Sequence, residues 1–262
     1  MQALSIAATG MAAQSLNVSV ISNNIANMNT VGFKRQLPQF EDLLYQNIER
    51  EGTQSSASGN IIPTGVQIGS GVKAGQVSRI TTQGAMTSTG NQLDIAVNGR
   101  GFFQVLLPSG QIAYTRAGNF SVNGTGQVVT QDGYPVQPAM TVPANAQAVS
   151  ISAAGVVQAT LAGTPTPTTI GTLQIANFFN EAGLDASGGN LYTETEASGP
   201  PSLSQPGQPG YGTLMQGYVE ASNVDPVTEI TNLISAQRAY EMNSKVVTAA
   251  DQMLSTSNSM KT

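Results

Sequence analysis

No side chain ahead of Lys34 carries a charge, so the chain starts with 33 residues drawn from apolar, small polar and amide types. A stretch with so little to hold it in water must be covered by something. No positively charged leader region precedes an apolar run and no A-x-A cleavage site follows one, which argues against a secretory signal peptide. Gln14, Asn17, Asn23, Asn24, Asn27 and Asn29 interrupt the segment. An unbroken apolar run of ~18 residues is therefore missing, and no membrane span or direct membrane insertion is expected. The periodicity points elsewhere. Leu4, Ala7, Met11, Gln14, Val18, Ile21, Ile25 and Met28 recur in alternating steps of three and four, a helical seam at coiled-coil spacing, with Gly32 as the stop. Such a helix would run about 45–50 Å at ~1.5 Å per residue.

The other end repeats the pattern. Asp225-Pro226 is a helix start, a capping carboxylate followed by proline at the first helical position, with Glu229 close behind. Ile230, Leu233, Gln237, Tyr240, Ser244, Val247, Ala250, Leu254 and Ser257 then step by three or four. Arg238, Glu241, Lys245 and Asp251 lie off that seam, and Glu241 with Lys245 makes an i,i+4 pair. Two matched helices thus bracket the chain. They form either a hairpin that closes one domain or a coiled-coil layer shared between copies, and the uncharged start favours the second.

Between the helices the texture changes. Residues 35–50, with Phe40, Leu43, Leu44, Tyr45 and Ile48, are expected to extend the helix or to form a short second one. From Gly52 to Gly84 the chain is rich in Gly, Ser and Thr, with Val66, Ile68, Val72, Val77 and Ile80 in strand-like alternation. That stretch reads as a linker or as an extended β-arm, and the β-branched residues favour the arm. From Ala85 to Gly217 short strands alternate with Asn98-Gly99, Ser109-Gly110, Asn123-Gly124 and Asp132-Gly133, dipeptides suited to tight hairpin turns. The expected fold class is α+β: long terminal helices in a paired coiled-coil layer, a mostly antiparallel all-β body, and an extended β-arm between them. The domain division expected is 1–34 with 223–262 as a helical unit, 35–84 as the connecting arm, and 85–222 as the β-domain.

Composition excludes most chemistry. With no His and no Cys, imidazole bases, thiolate nucleophiles, disulfides and His–Cys zinc sites are impossible. A net charge of −5 disfavours nucleic acid as a partner. Only 10% of residues are charged, against about 25% in an ordinary soluble domain, so copies of the chain repel one another weakly. Gly69-Ser70-Gly71 and Gly99-Arg100-Gly101 lack the strand–glycine–helix setting of a nucleotide loop. Asp94, Asp132, Asp185, Glu194 and Glu196 could supply a carboxylate pair for glycoside cleavage only if folding gathered two of them. No cofactor, metal or catalytic residue is expected.

Ser22-Asn23-Asn24-Ile25-Ala26-Asn27-Met28-Asn29-Thr30-Val31-Gly32-Phe33-Lys34 resembles the signature that closes the N-terminal helix of the bacterial flagellar rod and hook proteins. Residues 91–103, with Asn98, Gly99, Gly101 and Phe102, are similar to that family's internal motif, and Tyr114-Thr115-Arg116-Ala117-Gly118-Asn119-Phe120 to the next one. Glu220-Ala221-Ser222-Asn223-Val224-Asp225 and Ala236-Gln237-Arg238-Ala239-Tyr240-Glu241 resemble its C-terminal signature. Pro226 departs from the family, which commonly has an aliphatic residue there. The motif positions carried over are Asn24, Ala26, Asn27, Thr30, Gly32, Phe33, Asn98, Gly99, Gly101, Phe102, Asn223 and Val224.

Length, the opening Met1–Met11 wording and the 45–84 segment resemble the distal-rod branch most; a proximal-rod or hook-type member is the alternative, and a secreted β-rich glycan-binding protein or hydrolase is the reading outside the family. The resemblance implies a non-enzymatic structural subunit of the flagellar basal body. It implies self-assembly into a hollow helical drive shaft across the periplasm, export through the flagellar apparatus without a cleaved signal, and contacts with proximal rod, hook and the peptidoglycan and outer-membrane bushing rings. Assembly would run through Leu4, Met11, Val18, Ile21, Ile25 and Met28 of the first helix and Ile230, Leu233, Tyr240, Val247 and Leu254 of the last.

Overall fold

Two helices, one at each end of the chain, precede and follow twenty short strands along the sequence in a computed structural model that describes residues 2–49, 64–163 and 166–260. The stretch 50–63 of the expected arm lies outside the described residues. The chain divides into two units, one of residues 1–25, 36–78 and 225–262, the other of 26–35 and 79–224.

In the first unit α1 spans Gln2–Ala26 and α2 spans Pro226–Ser259. The start of α2 is set by Asp225, whose Oδ1 accepts from the Val227 N–H at 3.2 Å and whose Oδ2 accepts from the Thr228 hydroxyl at 2.6 Å, the geometry of an N-cap. α1 is shorter than its periodicity implies. The chain leaves the helix at Ala26 and turns through hydrogen bonds from the Thr30 N–H to the Asn27 carbonyl and from the Phe33 N–H to the Thr30 carbonyl, so Met28 sits beyond the helix end. The helix expected within 35–50 is replaced by two strands, β1 (Gln36–Asp42) and β2 (Tyr45–Glu49). Pro38 has no N–H to give a helix and biases Leu37 to extended backbone, which bars a continuous helix, and pairing with Val72–Arg79 and Val66–Gly69 holds the two segments extended. β3 (Val66–Gly69) pairs antiparallel with β2, from Tyr45 opposite Gly69 to Glu49 opposite Val66. β4 (Val72–Arg79) pairs with β1. The described part of the arm is therefore a two-stranded ribbon, crossing α1 where the Val72 N–H donates to Thr9 Oγ1 at 3.4 Å.

The second unit holds the β-body. Its largest sheet has five strands, in the order Val136–Gln137, Phe103–Leu106, Ile112–Thr115, Leu191–Thr193, Asp185–Gly188, all pairs antiparallel. A three-stranded antiparallel sheet of Ala146–Ile151, Val156–Leu161 and Thr168–Thr172 adds Val157 to the same core. Both faces of the central hairpin are buried. Phe103, Val105 and Ala113 face a core completed by Ile95, Val97, Phe120 and Leu173, while Tyr114 joins a second cluster with Phe102, Phe178 and Tyr192. Edge-on ring contacts order both: Phe103–Phe120 at 5.1 Å and Tyr114–Phe178 at 4.8 Å between centroids. Three of the four turn dipeptides sit in hairpin loops. Asn98-Gly99 does not, because Ile95–Asn98 pairs with Thr213–Gln216 rather than with the next strand. The dipeptide instead carries the chain from one sheet to another.

Candidate functional site: a buried ionic junction and a helix pair

Within the β-body unit the short motifs converge on one carboxylate. Glu220 ends the strand Tyr218–Glu220, which pairs with Met86–Ser88. Its Oε1 accepts from Lys34 Nζ at 2.6 Å and its Oε2 from Arg116 Nε at 2.6 Å. The Gly84 N–H adds a bond to Oε1 at 2.9 Å, and the Gly32 N–H donates to the Glu220 carbonyl at 2.8 Å. All three charged side chains are at most 5% exposed. Two cations around one anion leave an excess positive charge, and the backbone meets it. Lys34 Nζ donates to the Thr82 carbonyl at 2.9 Å, and the Arg116 guanidinium donates to the carbonyls of Val97, Gly99 and Gly101. Among the described residues no buried side-chain nitrogen or oxygen lacks a hydrogen-bond partner.

The electrostatics follow from this packing. Burial alone would raise the Glu220 pKa, but the Arg116 charge and the Lys34 hydrogen bond outweigh it and hold the carboxyl below the usual range. Burial lowers the Lys34 ammonium, against the pull of Glu220. Beside this cluster Asn223 joins three segments: its Oδ1 accepts from the Arg35 N–H at 2.7 Å, and its Nδ2 donates to the carbonyls of Ile80 and Thr82 at 2.9 and 3.0 Å. Gly32 lies in the left-handed region at φ 70°, and a Cβ there would come within 2.8 Å of the Arg116–Ala117 backbone. Gly99, Gly101 and Phe102 flank the Arg116 carbonyl cage, with Phe102 buried. Asn98 is exposed, Val224 is buried, Phe33 is half-buried, and Asn27 and Thr30 form the turn after α1. Lys34, Arg116 and Glu220 stand inside the quoted motifs, yet sequence reasoning did not single them out. The available signal was scarcity: in a chain 10% charged, a charge inside an otherwise neutral motif has to be paired.

In the helical unit Ile21 is buried, and Leu4, Met11, Val18, Ile25, Leu233 and Val247 are half-buried. Ile230, Tyr240 and Leu254 are exposed, as are Val227, Ile234, Met242, Val246 and Met253. The most buried residues of α2 are Glu229, Ala236 and Ala250, with Leu233 and Val247 half-buried at the same helical spacing. Between the helices a groove of about 370 Å³ is lined by Ser15, Val18, Ser19, Gln237, Tyr240 and Glu241. Ala26 closes α1 and is exposed. Over Ala3–Ala26 the mean hydropathy reaches 1.3, enough by length and composition to cross a membrane. The amides expected to prevent this are offset by the alanines and β-branched residues between them.

Two of the five candidate acidic residues share a groove, while Asp94 and Asp132 lie elsewhere. Glu194 and Glu196 line an open groove of about 810 Å³ with Ile112, Tyr114, Pro200 and Pro201. Asp94 instead accepts from Asn91 Nδ2 at 3.0 Å, and Asp132 lines a separate cleft of about 50 Å³. Burial pushes the Tyr114 phenol up to about 12, so it offers that groove no base near neutral pH. Among the described residues no group of three or more Asp or Glu could hold a metal ion.

Three family models match along the chain: a flagella basal body rod protein model over residues 4–34, a flagellar hook protein FlgE/F/G D1 domain model over 96–159, and a flagellar basal body rod FlgEFG protein C-terminal model over 215–260. The flagellar basal-body rod protein FlgG of Caulobacter vibrioides is 63% identical over all of both chains. That of Bacillus subtilis is 40% identical over 94% of each chain. The rod protein FlgF of Caulobacter vibrioides is 32% identical over 88% of this chain and 85% of its own.

Proposed function

The chain belongs to the flagellar basal-body rod protein family, and from that premise we propose that it is the distal-rod subunit, self-assembling into a hollow helical shaft that carries torque from motor to hook. The protein is structural, a component of the basal body. The distal assignment is supported by the higher identity to relatives named FlgG, 63%, than to the FlgF sibling at 32%.

One observation carries the assembly reading. α2 is already paired with α1, yet it leaves Val227 at 73%, Ile230 at 50% and Ile234 at 47% exposed. Burying an apolar side chain of this size contributes about 1.5–3 kcal/mol, so the half still exposed on each is worth about 1 kcal/mol against a neighbouring helix. In this reading the terminal helices form the inner layer of the tube, with Leu4, Met11, Val18, Ile21, Ile25, Leu233, Tyr240, Val247 and Leu254 divided between the pair and its neighbours. The β-ribbon, with Leu44, Tyr45 and Ile48 exposed, braces adjacent subunits. Proximal rod below, hook above, the surrounding peptidoglycan and outer-membrane rings and the flagellar export apparatus are the partners, and the shaft spans the periplasm.

A Val227→Asp/Ile234→Asp variant tests this. Both positions lie off the α1-facing side, so the subunit folds and is exported. The expected result is loss of distal rod and of swimming. Normal rods in that variant would overturn the assignment of this face.

A further inference from the structure

Apolar and small side chains along two helix faces say little about how far one helix may slide along the other. Two contacts remove that freedom. Asn24 Nδ2 donates to Glu229 Oε2 at 3.2 Å, both residues being 1% exposed. At Gly10 a Cβ would lie 2.9 Å from Asn243 Nδ2, so Asn243 fills the space a larger residue would occupy. Asn24 stands two heptads after Gly10, and Glu229 stands two heptads before Asn243. The helices therefore run antiparallel in one register, and its middle layer sets Asn17 opposite Ala236.

Asn24 is held ready for this contact. Its Oδ1 accepts from the Gln36 N–H at 2.9 Å and its Nδ2 also donates to the Gln36 carbonyl at 2.8 Å, so the amide cannot flip without losing both bonds. Sliding α2 by one heptad either way dismantles the arrangement. In one direction Glu229 passes the end of α1, and Asn17 is set against Asn243. In the other Asn24 passes the start of α2, and Gly10 meets Ala236 with a void between them. A buried polar pair at one layer of a helix seam is a known physical means of fixing register at some cost in stability.

We propose that Asn24 and Glu229, with Asn243 seated over Gly10, form a register key that selects a single alignment of the terminal helices. The key decides which apolar residues of α1 and α2 are presented at the same height to a second copy of the chain. This goes beyond the rod reading and rests only on the pairing of the two helices, so it can fail while that reading stands.

The chain has no cysteine, so introduced pairs report register without background. In the full-length protein Gln14→Cys with Ala239→Cys marks the observed alignment, and Gln14→Cys with Val246→Cys marks a slip of one heptad. That slip is ~10 Å along the helix, beyond the ~7 Å Cα reach of a disulfide. Intramolecular bonds are read by peptide mass mapping of the monomer band. In the otherwise unaltered chain the aligned pair is expected to close at least about tenfold faster than the slipped one. Glu229→Leu is expected to reduce that preference by about tenfold, the factor that one hydrogen bond to a charged group carries, whereas Glu229→Gln, which keeps an acceptor, retains it. An undiminished preference in Glu229→Leu overturns the proposal. Should that variant close neither bond, Glu229→Asp, which keeps the charge and shortens the reach, must show a reduced preference, and an unchanged one overturns the proposal equally.

Discussion

At the scale of the residue, the most consequential side chain is Glu220. It binds a lysine 186 positions before it and an arginine 104 positions before it, so one carboxylate ties segments from both halves of the chain. Its pKa in the folded state lies below the ordinary value of 4.5. The unfolded chain therefore takes up a proton first as the pH falls, and the stability contributed by the ionised form is present above about 4.5 and lost on further acidification. Acid is predicted to unfold the β-body by leaving Lys34 and Arg116 facing each other without their shared anion. Urea midpoints measured from pH 7 down to pH 3 should fall steeply below about 4.5 in the native protein. In Glu220→Gln they should be lower at neutral pH and nearly flat over that acid range. An equally steep acid slope in Glu220→Gln would assign the effect to other carboxylates.

At the scale of the element, what was legible in the sequence is what is decided locally. The start of α2 was readable because Asp225-Pro226 acts within one turn, and its carboxylate does accept from the Val227 N–H and the Thr228 hydroxyl. Asp225→Ala is predicted to cost about 1 kcal/mol, the usual worth of such a cap. The check is the thermal midpoint of helix ellipticity, and Asp225→Ser, which can also cap, should recover most of the loss. The end of α1 was less legible: the apolar period runs on to Met28, but the turn after Ala26 forms because Gly32 adopts a left-handed conformation and its N–H finds the Glu220 carbonyl. A long-range partner overrides the local signal there. The strand at Gln36–Asp42 is an intermediate case: Pro38 was present in the sequence and bars a continuous helix through Leu37, but a helix starting at Pro38 is excluded only by the pairing of β1 with β4 and of β2 with β3. Exposed and covered faces of α2 were legible only in part. Heptad counting finds Leu233, Val247 and Ala250, which the fold covers in part or fully, but it also counts the exposed Ile230 and Leu254 and misses the buried Ala236 and Glu229.

At the scale of the whole molecule, motifs spaced along the chain acquire a shared meaning through one non-local cluster, which no periodicity could reveal. The pairing of Lys34, Arg116 and Glu220 depends on tertiary closure, and the sequence carries only their scarcity as a clue. Two units divide the labour. The β-body has two apolar clusters and, among the described residues, hydrogen-bonded buried charges. The helical unit leaves large apolar side chains uncovered along α2. Stability of the first is internal, whereas on the proposed assembly that of the second would be completed by other copies. The division suits a subunit that must keep one folded body while its ends join a shared wall.

The most direct test of that division is sedimentation velocity over a concentration series, run on the full chain and on a 26–224 fragment that keeps Lys34, Arg116, Glu220 and Asn223 together with the β-body. The full chain is expected to form concentration-dependent polymers, promoted by seeding with isolated rods, and the fragment to stay a compact monomer at every concentration. A full chain that remains a compact monomer throughout, even when seeded, would contradict that division and return the terminal helices to a purely intramolecular role.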